Sequence, residues 1–344
     1  MTPPEDRPAP IDAGAAVAPE RRAVWSRYWA LGAGHSCGGS YEGGYGGAIA
    51  RFWHERLAPL PAATRVLDIA TGNGALPRLL LDACPDATVV CDAVDLAAIQ
   101  PPWLADLAGA QRERLRFHAG CAAESLPFGD GSFELVVSQY GLEYSDLARS
   151  LPEVRRVLAP GGRVAFVMHH AEGRPLQLAT IEIDHIEWLL AAGGLLDTAR
   201  RLLPAMAQAG SAEGRASLAR DAGANGLRDA FNALQRQLEA RIAATPRGDG
   251  ADVLVEARQA TAGLFALAAQ QGAGAALEGW QGVRQWLQDA ALRLQELRAH
   301  ALDACAVQAA ADALAPAVGP LRVGTLAEGP HLMGWTLHGP AGGR

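Results

Sequence analysis

Lysine is absent from this 344-residue chain, and all 30 of its basic residues are arginine. Acidic residues outnumber them at 37, giving a formal charge of -7. A protein whose main partner is nucleic acid normally shows a basic stripe, because neutralising phosphates supplies most of its affinity. Here the arginine pairs Arg21-Arg22, Arg155-Arg156 and Arg200-Arg201 are scattered among acidic neighbours, so the composition argues against nucleic acid. Cysteine is also sparse: Cys37, Cys84, Cys91, Cys121 and Cys305 show no Cys-x-x-Cys spacing. The amino terminus lacks a basic start followed by an apolar run. An odd, unpaired cysteine set without such a segment reads as a reduced cytoplasmic protein, not a disulfide scaffold. No stretch reaches the ~20 apolar residues needed to span a bilayer, so no stable membrane insertion is expected.

What is present reads as globular, with 49% hydrophobic and 19% charged residues. The length suits one large domain or a domain with a sizeable insertion. The Pro- and Ala-rich residues 1–20 read as a disordered leader. Residues 21–62 follow as a helical and Gly-rich segment, with helices over 23–33 and 48–57. Between those helices lies a Gly-rich strip containing His35, Cys37, Tyr41 and Tyr45. Together with Tyr28-Trp29, this strip is placed to fold over a site as a lid.

Residues 64–170 alternate short apolar strands, at 65–70, 88–96, 115–120, 133–140 and 163–170, with helices at 75–83, within 97–112 and at 146–158. That alternation predicts a parallel, doubly wound sheet with right-handed crossovers. From about 175 to 316 the spacing is helical, as in Phe231, Leu234, Leu238 and Ile242, with Gly193-Gly194, Gly210, Gly223 and Gly272 as breaks. Two extended pieces, 321–326 and 331–337, close the chain across Ala327-Glu328-Gly329-Pro330, which suits a hairpin. The domain expectation is therefore a sheet domain over 63–174 and 317–340, interrupted by a helical insertion over 175–316.

The sharpest motif is Val66-Leu67-Asp68-Ile69-Ala70-Thr71-Gly72-Asn73-Gly74, where the first strand turns into a helix. Gly72 and Gly74 permit a tight turn and leave the backbone open to a ligand, and the free N–H groups of the helix start favour an anion. A nicotinamide-dinucleotide fingerprint wants a third glycine where this chain has Pro77, and has no use for an acid at Asp68. Asp95, at the end of the second strand in Ala93-Val94-Asp95-Leu96, can accept two ribose hydroxyls. An acid there identifies a ribose, not a particular cofactor.

With these residues in hand, the chain resembles the class I S-adenosylmethionine-dependent methyltransferases, of the ubiquinone/menaquinone-biosynthesis-like small-molecule type. The Asp68–Gly74 loop is similar to that family's first motif. Glu124-Ser125-Leu126-Pro127-Phe128, followed by Gly131-Ser132-Phe133-Glu134, resembles its segment leading into the fourth strand. Arg156-Val157-Leu158-Ala159-Pro160-Gly161-Gly162-Arg163 resembles its turn before the fifth strand. The resemblance covers about 64–170 and 321–337. It implies a Rossmann-like seven-stranded sheet, parallel except for a C-terminal antiparallel hairpin, and S-adenosylmethionine as cofactor with S-adenosylhomocysteine as product.

The resemblance also implies residue roles. Asp68, Ala70, Thr71, Gly72 and Gly74 would hold the methionine moiety, with Asp68 placing its ammonium group. Asp95 would take the ribose and Leu96 would pack on the adenine. The family often has an Asp reaching the adenine amino group where this chain has Ala122, so backbone near Ala122 and Ala123 would serve there. Gln139 and Tyr140, after the fourth strand, and Tyr28 in the lid are further candidate contacts, Tyr140 also for catalysis. His169 and His170, at the end of the fifth strand, are candidate general bases, at most one of them facing the site because neighbours on a strand alternate. They lie too close to Glu172 in sequence to converge on a metal.

The function expected is in-line methyl transfer to a small or medium organic acceptor, with the acceptor atom (O, N, S or C) open. The insertion is expected to supply the substrate pocket, homodimer contacts, or both. A non-catalytic scaffold of the same fold and a nicotinamide-dependent oxidoreductase are the competing readings.

Overall fold

The structure is a computed structural model that describes residues 13–36, 45–85 and 88–339, with side chains in the first helix from Glu20 onward. Cys37 and Tyr41 of the Gly-rich strip lie outside the described residues. Helix α1 (Ala13–Ala30) begins inside the stretch expected as a leader, in an Ala-rich sequence of high helix propensity. Residues 1–12 lie outside the described residues. Helix α2 (Gly47–Leu57) follows the strip.

Strands β1 (Arg65–Ile69), β2 (Val90–Asp95), β3 (Leu115–Ala119), β4 (Phe133–Gln139) and β5 (Leu158–Met168) are the expected apolar segments. They pair in parallel. Strands β6 (Arg322–Glu328) and β7 (His331–His338) form the terminal hairpin. The seven-stranded order is β3-β2-β1-β4-β5-β7-β6, with β7 antiparallel to β5, as the Rossmann-like expectation requires. β5 starts five residues before the expected 163, because Leu158 already pairs with Phe133. The register shift between Phe133 and Leu135 lets Ala159-Pro160-Gly161-Gly162 stay within the strand, as bulges commonly do for Pro and Gly.

Helices α3 (Ala75–Ala83), α4 (Gly109–Arg112) and α5 (Leu147–Val157) connect the parallel strands. The helix expected within 97–112 is reduced to a 3-10 turn over Pro102–Asp106 and the four-residue α4. Pro101-Pro102 explains this, since consecutive prolines supply no backbone donors and bias the preceding residue away from helix. One sheet face is covered by α2 and α3 through Ile49, Trp53, Leu76 and Leu80. The other face is covered by Leu151 and Val154 of α5.

Beyond β5 the chain forms α6 (Arg174–Leu190), α7 (Leu195–Gln208), α8 (Ala212–Leu218), α9 (Ala222–Ala244), α10 (Asp252–Gln271), α11 (Ala273–His300) and α12 (Ala304–Val318). The stripe Phe231, Leu234, Leu238 and Ile242 packs into the core shared by α6, α7, α10 and α11, as its spacing predicts. Gly223 is not a break: Asp221 caps α9 by accepting from the N–H groups of Gly223 and Ala224. The last helix of the stretch, α12, leaves the helical body. Its Val307, Ala310, Ala311 and Leu314 share the core of the second sheet face with Phe166.

Candidate functional site

Open parallel sheets bind ligands beyond the carboxyl ends of their strands, and here those ends border a cavity. It offers ≈ 130 Å³ of room for water centres and is walled by the ends of β1, β2 and β4, residues 121–124 and one face of α1. Two walls carry strained backbone. Ala70 and Tyr140, just past β1 and β4, have φ of +57° and +51°, a region costly for side chains with a Cβ and often retained at functional sites.

Asp68 lies at the inner end of this cavity on β1, 1% exposed, and among the described residues neither of its carboxylate oxygens has a hydrogen-bond partner. Burial pushes its carboxyl up to about 8; the Thr71 hydroxyl favours the anion without reaching bonding geometry, and Asp95 opposes it. A buried carboxylate left this way is costly unless a ligand satisfies it. Asp95 is better supplied. Its Oδ2 accepts from Gly72 N–H at 2.8 Å and its Oδ1 from Ala97 N–H at 2.8 Å. Burial still pushes it up to about 6, against those two backbone bonds.

Gly72 and Gly74 build the loop but do not line the cavity. Gly72 has φ +55°, and a Cβ there would lie 2.5 Å from the Trp29 ring. Trp29 thus seats α1 on the loop, and Asn73 Nδ2 secures it by donating to Trp29 O at 2.9 Å and Ala33 O at 2.8 Å. The far side of α1 is tied to the helical body. Arg27 donates to both oxygens of Asp289 at 2.6 and 2.7 Å, and Trp25 Nε1 donates to Glu296 at 3.0 Å. Of the expected lid, Tyr28-Trp29 thus lie in a helix bridging the sheet and the helical body, while His35 and Tyr45 of the strip line the cavity. Trp25 is among the wall residues the sequence reading did not single out. Its signal was the i, i+4 spacing to Trp29, whose ring it stacks at 5.7 Å.

Of the anticipated residues, the structure gathers Asp68, Ala70, Thr71, Asp95, Leu96, Ala122, Ala123, Gln139 and Tyr140 around the cavity. Gln139 is held by Trp53 Nε1, which donates to its Oε1. Tyr140 donates its hydroxyl to Met333 O at 2.9 Å. Tyr28 faces elsewhere, into a second cavity of ≈ 380 Å³ between α1 and helices α6, α10 and α11. The two cavities share Trp25, Ser36 and Tyr144.

His169 and His170 line neither cavity. They point opposite ways, as strand alternation requires. His169 is 1% exposed and stacks on Tyr140 at 4.3 Å. Glu143 Oε1 lies 2.8 Å from both its backbone nitrogen and its Nδ1. Its Nε2 is buried with no hydrogen-bond partner among the described residues. His170 stacks on Trp335 at 4.1 Å, and burial lowers its pKa, partly offset by Glu172. The Glu143–His169 pair was not foreseen as a pair, since nothing in the sequence links a loop glutamate to a strand end 26 residues on.

Residues 66–162 match a methyltransferase domain family. The chain is 40% identical over 119 residues to demethylmenaquinone methyltransferase of Thermus thermophilus, covering 33% of this chain and 51% of that protein. It is 42% identical over 105 residues to malonyl-[acyl-carrier protein] O-methyltransferase of Geobacter sulfurreducens, covering 30% and 38%. It is 32% identical over 149 residues to ubiquinone/menaquinone biosynthesis C-methyltransferase of Paracoccus denitrificans, covering 42% and 55%. The chain thus spans about half, or less, of the length of these relatives. The strand order, the acids at the ends of β1 and β2 and these matches agree, and residues 66–162 are a methyltransferase domain of the Rossmann-like kind.

Proposed function

We propose that the protein binds S-adenosylmethionine in the first cavity and transfers its methyl group to a small or medium organic acceptor held in the second. One observation carries the cofactor assignment: the Asp68 carboxylate is buried, unpartnered and open to a ligand's ammonium group. The other walls fit the same molecule. Asp95 retains lone pairs for ribose hydroxyls beside its two backbone bonds, and Leu96, Ala122 and Ala123 offer apolar contact for a base.

When bound, S-adenosylmethionine supplies a methyl carbon already activated by a sulfonium. The protein's own task is then alignment and exclusion of water, and positioning alone can contribute about 7–11 kcal/mol. Trp25 and Tyr144 stand at the junction of the cavities and are placed to do both. The burial of His169 against Glu143 supports a positioning role behind Tyr140, not proton transfer to an acceptor.

Calorimetric titration with S-adenosylmethionine, S-adenosylhomocysteine and NAD tests the reading. Micromolar binding of the two sulfur nucleosides, with none of NAD, is the expected result. NAD binding would transfer the site to oxidoreductase chemistry, and binding of none of the three would leave a scaffold.

A further inference from the structure

The second cavity carries more negative charge than its own residues neutralise. Glu182 on α6, Asp252 and Glu256 on α10 and Arg293 on α11 are its charged lining residues, three carboxylates against one guanidinium. Among the described residues, none of the four makes a side-chain hydrogen bond or salt bridge. Arg293 lies over the Tyr28 ring at 4.1 Å. The nearby Asp289 is already held by Arg27 at 2.6 Å.

Glu182 is the deepest of the carboxylates. Burial pushes it up to about 7; Arg293 eases this, while Glu256 and Asp252 add to it. Glu256 is raised for the same reasons, burial first and Asp252 second. The three acids therefore repel one another across a space that holds a single lining cation, Arg293.

A metal ion does not answer that deficit, because the described residues contain no group of three or more His, Cys, Asp or Glu placed to hold one. The remaining walls favour a larger organic cation. Trp25, Tyr144 and Trp286 add aromatic surface beside Tyr28, whose ring Arg293 already covers, and Leu178 and Leu294 are apolar. Aromatic faces attract a desolvated ammonium, and a buried carboxylate supplies the charge-assisted hydrogen bond that such a group needs. An anionic ligand would meet one guanidinium opposed by three carboxylates. A neutral ligand would strip further water from Glu182 and return at most an uncharged donor's weaker hydrogen bond.

We infer that the second cavity binds an acceptor with an apolar body and a protonated amine, its ammonium group held by Glu182 with Asp252 and Glu256 around it. This rests on the reading that the second cavity receives the acceptor.

The test uses the whole chain saturated with S-adenosylhomocysteine, so that Asp68 is not a competing site. Phenethylamine, phenethyl alcohol and phenylacetate, which share one apolar body, are titrated calorimetrically. The amine is expected to bind about tenfold or more tightly than either analogue, the size of one hydrogen bond to a charged group. Glu182→Gln is expected to bring the amine to the level of the alcohol. Equal or tighter binding of the alcohol or the carboxylate, no detectable binding of the amine, or an undiminished amine preference in Glu182→Gln would each overturn the inference. Should Glu182→Gln not fold, the wild-type comparison and the exposed Glu256→Gln decide it. Failure of S-adenosylhomocysteine to bind would overturn the methyltransferase reading instead, and the amine series run without it would still report on this cavity.

Discussion

Asp68 must be ionised to hold an ammonium group, yet burial raises it to about 8 in the free protein. One pKa unit corresponds to about 1.4 kcal/mol, so ionising it costs about 1.4 kcal/mol at pH 7 and about 2.7 kcal/mol at pH 6. A hydrogen bond to a charged group returns about 1.5–3 kcal/mol. Replacing Asp68 by Asn should therefore cost S-adenosylhomocysteine almost nothing at pH 6. At pH 7 it should cost between nothing and about 1.6 kcal/mol, and more above that. The same linkage predicts that wild-type binding releases between about half and nine-tenths of a proton at pH 7. Calorimetry over pH 6 to 7.5, in two buffers of different ionisation enthalpy, reads both quantities. Over that range the ligand's own ammonium remains mostly protonated. Wild-type affinity should climb with pH by about three- to sevenfold per unit near pH 7, while Asp68→Asn stays nearly flat there and releases almost no proton. Asp95, raised only to about 6, contributes at the low end alone. Identical pH profiles for the two proteins, or no proton release by wild type, would refute the assignment of Asp68 to the ammonium.

The same shift predicts how the ligand-free fold responds to pH. Because Asp68 is raised in the folded state, its contribution is fully present below the ordinary carboxylate range and is lost as pH rises through about 8. Melting temperature should fall between pH 6 and 8, and less so in Asp68→Asn. Gly72→Ala should cost about 1–2 kcal/mol from its left-handed backbone, plus a clash with Trp29, whose ring would stand 2.5 Å from the new Cβ. In a Trp29→Ala background the clash disappears, so urea unfolding should show a coupling of about 0.5–3 kcal/mol, whereas strict additivity would deny that Trp29 seats on the loop. Glu143→Leu leaves the two buried donors of His169 unpaired, each at about 1–3 kcal/mol. It should lower the urea midpoint markedly, while Glu143→Gln, which keeps an acceptor oxygen, should lower it less. A Leu variant as stable as wild type would contradict the pairing.

The part of the molecule that could be read in advance is the part whose constraints are local in sequence. A buried parallel strand must be short and apolar, and the turn after β1 needs glycine at Gly72 and Gly74, both with positive φ. The ends of β1 and β2 must bring Asp68 and Asp95 to one edge, because adjacent parallel strands register Asp68 with Ala93. What escaped has non-local causes. Helical spacing shows that α12 has an apolar face but not that this face lies on the sheet, and it does so through Val307 and Leu314. Alternation says that His169 and His170 point apart, but only the loop after β4 decides that one is closed off by Glu143 and Tyr140. The other meets Trp335. Helix α1 is the clearest instance. Along its sequence it is a helical segment before a domain. In space its Trp29 closes the glycine turn, its Trp25 borders both cavities and its Arg27 grips α11. A ligand in the first cavity and a ligand in the second therefore meet the same helix. That shared wall follows from tertiary packing and from no motif.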